Sequence, residues 1–186
     1  MKKPRVDLSK FQNSTFERGA TILKELLWII IRALFFNHSL ALVNRLKIDL
    51  LKLFGAKVGQ GVIIKPSVMI KFPWKLIIGN HVWIGEKVWI DNLDQVVIED
   101  HVCISQGAML LCGNHDYTKE TFDLIVKPIT LKRGTWVGAK AVVCPGVTAH
   151  PDSILSVGSV ATKDLDASGI YQGIPAKKIR ERVIAQ

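Results

Sequence analysis

The stretch that decides the fold is IGNHVWIGEKVWIDNLDQVVIEDHVCISQGAML, residues 78–110. An aliphatic residue returns in it at every sixth position, with one interval lengthened by two residues. A helix would repeat its apolar residues after three or four positions and a half-buried strand after two, so a sustained period of six fits neither. Six residues suit a short strand followed by a turn.

The same period runs through most of the chain from residue 58 to residue 161. Positions one after the aliphatic residue are often glycine, and we expect these glycines to supply the positive φ of a turn. Positions four after it are often small or β-branched. The pattern predicts a mainly β fold, a prism-shaped parallel β-helix of hexapeptide repeats with about five coils. The repeated aliphatic residues are Val58, Ile64, Ile70, Ile78, Ile84, Ile90, Ile98, Ile104, Leu110, Leu131, Val137, Val143, Ala149, Leu155 and Ala161.

The residues before the repeat have helical periodicity. Two helices are predicted, over 22–36 and 40–54, and the second should pack through a face formed by Val43, Leu46, Leu50, Leu53 and Phe54. Neither is long and apolar enough for a transmembrane span. The sequence leaves two roles open for residues 1–57, a cap on the first coil or a segment in the membrane interface. Residues 58–186 form the β-helix domain, with a short C-terminal helix predicted to begin near Pro175.

Composition limits the partners. The 186 residues suffice for one core, and the formal net charge of +9 indicates an anionic partner. Much of this charge is N-terminal, because residues 1–57 hold eleven Lys or Arg against four Asp or Glu. No reading helix or base-stacking motif accompanies it, so nucleic acid is not predicted. Three cysteines without CxxC spacing and no evident signal peptide favour a reducing cytoplasm, without disulfides or a metal site.

The repeat is interrupted between Leu110 and Leu131, and His115 stands at the start of this interruption. A long loop in a regular scaffold is a common place for function. His81 and His101 occupy equivalent turn positions, and His150 and His38 are predicted to be structural or solvated. His115 is therefore the candidate catalytic histidine, since imidazole can accept a proton near neutral pH.

Four segments resemble one family, the hexapeptide-repeat acyltransferases, and within it the sugar O-acetyltransferases of colanic acid and exopolysaccharide synthesis. The segments are NHDY (114–117), GTWVGAKAVVCPGVT (134–148), SVGSVATKDL (156–165) and GIPAKKIRER (173–182). The resemblance implies a left-handed β-helix and a homotrimer with active sites between neighbouring prisms. It also implies acetyl-CoA as co-substrate and His115 as general base, with direct transfer to a sugar or lipid-linked saccharide.

The resemblance also assigns binding residues. The Ala139 N–H becomes the oxyanion donor, and the acetyl-CoA contacts are carried over to Trp136, Gly138, Ala139, Val157, Thr162, Lys163, Lys177 and Arg180. Asp91 and Asn92 are assigned to the acceptor. Two positions depart from the family pattern: Lys177 stands where arginine is frequent, and Asp91 stands where asparagine is frequent.

Other functions fit the sequence less well. An N-acetyltransferase of an amino sugar or a serine O-acetyltransferase could use the same fold. A non-catalytic scaffold would not need His115 on a long insertion. A hexapeptide-repeat carbonic anhydrase needs a histidine metal cluster, and His81 and His101 lie in different phases of the repeat without a third ligand.

Overall fold

The computed structural model describes residues 5–14, 16–36 and 44–185. Two α-helices, α1 (Ile22–Phe35) and α2 (Asn44–Leu53), precede the strands, and short 3-10 turns span Leu8–Lys10 and Pro73–Lys75. The strands are β1 (Lys57–Val58), β2 (Ile63–Ile64), β3 (Met69–Ile70), β4 (Leu76–Ile78), β5 (Trp83–Ile84), β6 (Trp89–Asp91), β7 (Val96–Ile98), β8 (Cys103–Ile104), β9 (Met109–Leu111), β10 (Gly113–His115), β11 (Leu124–Val126), β12 (Ile129–Leu131), β13 (Trp136–Val137), β14 (Val142–Val143), β15 (Thr148–Ala149), β16 (Ile154–Leu155), β17 (Val160–Ala161), β18 (Gly169–Gly173) and β19 (Ala176–Glu181).

Parallel strands form the three faces of a left-handed β-helix. The first face is β1-β4-β7-β12-β15, the second is β2-β5-β8-β13-β16-β18, and the third is β3-β6-β9-β14-β17. The predicted fold class is confirmed, but there are about six coils rather than five. The additional coil comes from β18, which lies beyond the end of the recognised repeat and pairs with β16.

The core consists of the residues that the repeat singled out. Apart from half-buried Val58, every repeated aliphatic residue is at most 3% exposed. The small and β-branched residues four positions later, from Val62 to Val147, are at most 2% exposed. Each coil thus buries the same two kinds of position against the next coil, and apolar burial along the prism axis stabilises the stack.

The turns differ from the prediction. Positive φ occurs three residues after the repeated aliphatic residue, at glycines and also at His81 (φ 55°), His101 (φ 59°) and Lys140 (φ 55°). Glycine is required one residue after the aliphatic position for a different reason. A Cβ on Gly138 would lie 2.6 Å from the Val157 nitrogen, and one on Gly85 would lie 2.6 Å from the Gln106 nitrogen. These glycines are needed because the next coil passes so close.

Side chains of both helices bind backbone groups of the first coil. The Trp28 indole donates to Ile70 O at 2.9 Å, and the Asn44 amide donates to Val62 O and accepts from Ile64 N, both at 2.7 Å. Lys47, only 1% exposed, donates from Nζ to Lys65 O at 3.2 Å. These groups would otherwise form an unpaired edge, which β-proteins commonly cover.

The predicted packing face is right for Leu50 and Phe54, which pack on the core, and wrong for Leu46 and Leu53, while Val43 lies outside the described residues. Lys47 and Leu51 are its buried residues, whereas Leu46 is 39% exposed and Leu53 is 76% exposed. The reason is that α2 approaches the coil edge through polar contacts as well as apolar ones. Within the described ranges, no helix has the length and apolarity to cross a bilayer.

Asn44→Ala should lower the free energy of unfolding by about 1–3 kcal/mol, because the Ile64 N–H and the Val62 carbonyl both lose their partner. Chemical denaturation followed by circular dichroism measures the change. Asp49→Ala is the matched control, since Asp49 is an exposed residue of the same helix. Equal losses in the two variants would mean that the Asn44 contacts contribute nothing specific.

The predicted C-terminal helix is wrong. Residues 169–181 form an antiparallel hairpin of β18 and β19, in which Gly173 (φ 103°) begins the tight connection. Pro175 suggested the first position of a helix, but β18 continues the second face of the prism and presents an edge that β19 can pair with. Pairing with this edge overrides the local helix signal.

Candidate active site

The interruption of the repeat is a β-hairpin that leaves the prism after the third face. Its strands β10 and β11 pair antiparallel, with His115 opposite Leu124. The N-terminal segment binds the hairpin, because Asp7 N donates to Glu120 O at 2.9 Å and Lys10 Nζ lies 2.7 Å from Glu120 Oε1. His115 therefore lies on a paired strand that is braced from outside the β-helix.

One contact fixes the tautomer of neutral His115. Its Nδ1 lies 2.8 Å from the carbonyl oxygen of Phe122. A carbonyl can only accept, so in the neutral imidazole the proton is on Nδ1 and the lone pair is on Nε2. The ring is held by Phe122, stacked at 4.4 Å and 6°, and by Phe11, edge-on at 5.6 Å. His115 is therefore held with the lone pair of Nε2 free of the Phe122 carbonyl.

Phe122 has an unusual backbone. Its φ is +51°, a region that bulky residues rarely adopt. This conformation accompanies the carbonyl and ring contacts with His115, a pattern typical of functional sites. Asp116 has a different partner: its carboxylate accepts from Thr118 Oγ1 at 2.6 Å, and this hydrogen bond lowers the pKa of Asp116. The carbonyl of Phe122, not Asp116, orients the histidine.

Phe122→Ala removes the stacked ring but keeps a carbonyl at the same position. Aromatic stacking is worth about 0.5–1.5 kcal/mol, so we expect kcat to fall roughly two- to tenfold while KM stays unchanged. Steady-state kinetics measures both. Tyr117→Ala is the control, since Tyr117 is a 77% exposed aromatic residue of the same hairpin. A change in KM alone would contradict a role in orienting His115.

A cavity of about 390 Å³ opens beside His115. Asp91 and Lys71, 3.0 Å apart between Oδ1 and Nζ, line it together with Asn13 and Arg18 from the N-terminal segment. Aromatic residues complete the wall. The cavity thus combines a carboxylate, two cations and apolar rings next to His115.

The two residues predicted to bind the acceptor have different surroundings. Asp91 lines the cavity, whereas Asn92 is fully buried. The Asn92 amide accepts from Phe72 N at 3.0 Å and donates to Phe72 O at 2.6 Å. These bonds tie neighbouring coils together where the repeat slips by two residues. We keep Asp91 in the candidate acceptor site and assign Asn92 to the support of the coil.

Six of the eight residues assigned to acetyl-CoA lie at or beside two edges of the third face. Trp136, Gly138, Ala139 and Val157 lie where chain passes from the second face to the third. Thr162 and Lys163 follow the third face, as His115 does. In one chain, therefore, His115 and the Ala139 turn lie at opposite edges of a prism face.

The Ala139 turn has a free donor. In the part of the chain that the structure describes, the Ala139 N–H donates to no protein acceptor. Trp136 beside it is 45% exposed and donates from its indole to Ser105 Oγ at 2.9 Å. Lys177 and Arg180 are exposed on β19 rather than on a helix. A thioester carbonyl placed at this turn would meet an unoccupied backbone N–H.

The remaining histidines and the cysteines have other roles. His81 and His101 are stacked at 5.3 Å on successive coils, and His150 is an exposed turn residue. The prediction for His38 lies outside the described residues. Among the described residues, no group of three or more His, Cys, Asp or Glu could hold a metal ion. Burial raises the pKa of the Cys112 thiol to about 12, and it also raises the pKa values of Cys103 and Cys144.

Comparison with known proteins gives the family. A protein of Escherichia coli K12 that bears the provisional name colanic acid biosynthesis acetyltransferase WcaF is 37% identical over 177 residues, 95% of this chain and 97% of its own. The chain belongs to the hexapeptide-repeat acetyltransferases. Galactoside O-acetyltransferase of the same strain is 28% identical over 88% of this chain and 77% of its own. No family model matches the sequence.

Solved structures agree with this assignment. A galactoside acetyltransferase in complex with coenzyme A superposes with a TM-score of 0.76 and 26% identity, covering 86% of this chain and 80% of its own. A hexapeptide-repeat acetyltransferase of Vibrio cholerae in complex with acetyl-CoA gives a TM-score of 0.79 at 23% identity, over 95% and 98% of the chains. At this identity, the Vibrio cholerae structure shows that the fold is shared.

The repeat pattern missed several residues of the candidate site. Phe11, Asn13 and Arg18 lie before the repeat, and neither their type nor their spacing indicates a contact with a hairpin a hundred residues later. Lys71 could have been found, because it stands one coil before Asp91 at an equivalent position.

Proposed function

We propose that the protein is an acetyl-CoA-dependent O-acetyltransferase that modifies a sugar hydroxyl in polysaccharide biosynthesis. The observation that carries the proposal is His115, bonded through Nδ1 to the Phe122 carbonyl at 2.8 Å, at the wall of a polar and aromatic cavity. A histidine bonded in this way can act as a base, because Nε2 is left free while Nδ1 is bound to the Phe122 carbonyl. The solved relatives with coenzyme A and acetyl-CoA support the donor.

The proposed reaction is a direct transfer. Nε2 of His115 takes the hydroxyl proton while the hydroxyl oxygen attacks the thioester carbonyl. The negative charge of the tetrahedral intermediate is stabilised by the Ala139 N–H. The intermediate then expels the coenzyme A thiolate, which receives the proton from His115. The raised pKa values of all three cysteines support the absence of an acyl-enzyme, because thiols are poor nucleophiles.

Two chains are needed for one site in this proposal. Because His115 and Ala139 lie at opposite edges of the third face, we propose a homotrimer in which His115 of one chain meets the Ala139 turn of its neighbour. Thr162, Lys163, Lys177 and Arg180 would supply polar and positive groups for the nucleotide and its phosphates, and Val157 an apolar contact for the pantetheine arm. A solution mass three times the 20.7 kDa of the chain is expected.

The acceptor cavity suits a saccharide. The Asp91 carboxylate can accept from sugar hydroxyls, and Lys71 and Arg18 can donate to ring or carboxylate oxygens. Phe16 offers apolar surface to the C–H face of a ring. The acceptor is a sugar or a lipid-linked saccharide. The name of the Escherichia coli relative supports a place in exopolysaccharide synthesis.

Release of free coenzyme A from acetyl-CoA tests the proposal across sugars, amino sugars, nucleotide sugars, lipid-linked oligosaccharides and serine. We expect release to depend on a saccharide and the product to be an ester, which mild alkali or hydroxylamine cleaves. An alkali-stable amide product would replace O-acetylation by N-acetylation. Turnover with serine would remove the saccharide from the proposal, and failure to bind acetyl-CoA would contradict the transferase itself.

A further inference from the structure

The outward face of α1 is apolar throughout. Its six large side chains with the highest exposure are 47–75% exposed, and at 100° per residue they cover a sector of about 140°. The other residue in this sector is Ala33. The α1 face is defined by Ile22, Leu23, Leu26, Leu27, Ile30 and Leu34.

The charged residues of α1 point inward. Lys24 lies over the Trp74 ring at 5.2 Å, Glu25 pairs with Arg18 at 2.6 Å, and Arg32 approaches Ile70 O. A surface helix of a water-soluble protein has the opposite arrangement, with its apolar stripe on the core and its charges in water. These charged groups thus face the prism or the N-terminal segment, and no residue in the described part of the chain covers the α1 face.

The chemistry of the α1 face favours lipid over protein. Protein interfaces are enriched in aromatic residues, methionine and arginine, whereas this face consists of leucine, isoleucine and alanine. The helix of 14 residues is about 21 Å long, too short to span a bilayer but sufficient to lie in its interface.

The charge nearby also favours an anionic surface. Residues 1–57 carry eleven Lys or Arg and four Asp or Glu, a difference of +7, and within the described residues Arg5, Arg45, Lys52 and Lys57 are exposed whereas Lys24, Arg32 and Lys47 face inward. Arg45 and Lys52 are exposed on α2, and Phe54, directly after α2, contacts Trp28 of α1 with ring centroids 5.2 Å apart. Basic residues beside an apolar helix face add attraction to anionic lipids.

We propose that α1 docks in the interface of an anionic phospholipid bilayer, with the α1 face among the acyl chains and the prism on the aqueous side. The polar side of an ordinary interfacial helix faces water, whereas the polar side of α1 faces the rest of the protein. This docking does not depend on the transferase reaction and goes beyond the proposed function.

Sedimentation with sucrose-loaded vesicles tests the docking on the full chain. We compare vesicles of phosphatidylcholine alone with vesicles containing one part phosphatidylglycerol to two parts phosphatidylcholine. The wild type should bind the anionic vesicles, more weakly as salt rises. Leu26→Gln/Ile30→Gln should bind at least roughly tenfold more weakly, since two inserted aliphatic groups become polar.

The matched control is Val183→Gln/Ile184→Gln, which changes two exposed aliphatic residues of the C-terminal tail without altering charge. It should bind within about twofold of the wild type, because these residues lie outside the α1 face. If the midpoint of thermal unfolding of Leu26→Gln/Ile30→Gln differs from that of the wild type, the comparison is repeated with Ile22→Gln/Leu23→Gln, which changes the two most exposed positions.

Three results would overturn the proposal. They are wild-type protein that stays in the supernatant, equal binding by wild type and α1 variant, and an α1 variant whose solution mass falls below that of the wild type. The last would show that a second copy of the chain covers the α1 face. Sedimentation is independent of turnover, so failure of this proposal and failure of the proposed reaction are separately visible.

Discussion

His115→Ala is expected to lower kcat by about 10²- to 10⁴-fold, the usual contribution of a positioned general base. The physical reason is specific to the hairpin: the Phe122 carbonyl fixes the Nδ1 proton, so Nε2 is the nitrogen that can take the acceptor proton. Alanine leaves no group at that position. Initial rates of coenzyme A release, measured with an acceptor that the wild type turns over, give the change.

Two controls make this result interpretable. His150→Ala replaces an exposed turn histidine and should keep wild-type rates. Acetyl-CoA binding to His115→Ala, measured by calorimetry, should remain within about threefold of the wild type, because the proposed donor contacts lie at other residues. Undiminished turnover in His115→Ala would show that another group removes the proton.

Trp28→Ala should lower the free energy of unfolding by about 3–5 kcal/mol. Trp28 is fully buried, contacts Phe36 and Phe54 at ring distances of 5.3 and 5.2 Å, and donates to Ile70 O. Its loss leaves a cavity between α1, α2 and the first coil. Denaturant unfolding followed by tryptophan fluorescence and circular dichroism measures the change.

Leu23→Ala is the control for Trp28, since Leu23 lies on the same helix and is 68% exposed. In the absence of lipid it should change stability by about 0.5 kcal/mol or less. We also expect Trp28→Ala to aggregate more readily, because opening the N-terminal helices exposes strand edges of the first coil. A loss below 1 kcal/mol would mean that these helices add little to the stability of the prism.

The interior of the prism could be predicted from sequence because one physical requirement repeats in every coil. Residues such as Ile84, Ile104 and Val137 occupy equivalent places, so a single rule about period and apolarity specified all of them. The place of His115 was predictable for the same reason, since a regular repeat makes its own interruption visible. The resemblance of four segments then supplied the chemistry.

The remaining features depend on contacts distant in sequence. Pro175 is a local signal for a helix, yet the residues after it pair with the edge of β18 and form the second strand of a hairpin. Asn92 looks like a ligand until its amide is seen bound to Phe72 one coil earlier. Phe122 and Phe11 reach His115 only after the hairpin has folded and the N-terminal segment has packed against it. Local patterns cannot specify such contacts.

The proposed reaction is transfer of the acetyl group straight to an acceptor hydroxyl, catalysed by His115. A single turnover with acetyl-radiolabelled acetyl-CoA, quenched in acid, is its sharpest test. With the acceptor found by the panel, we predict that the label passes from acetyl-CoA to an alkali-labile ester of the acceptor. The protein should carry no label at any time, and His115→Ala should leave the label on acetyl-CoA. Label that appears first on Cys103, Cys112 or Cys144 and then moves to the acceptor would contradict the account.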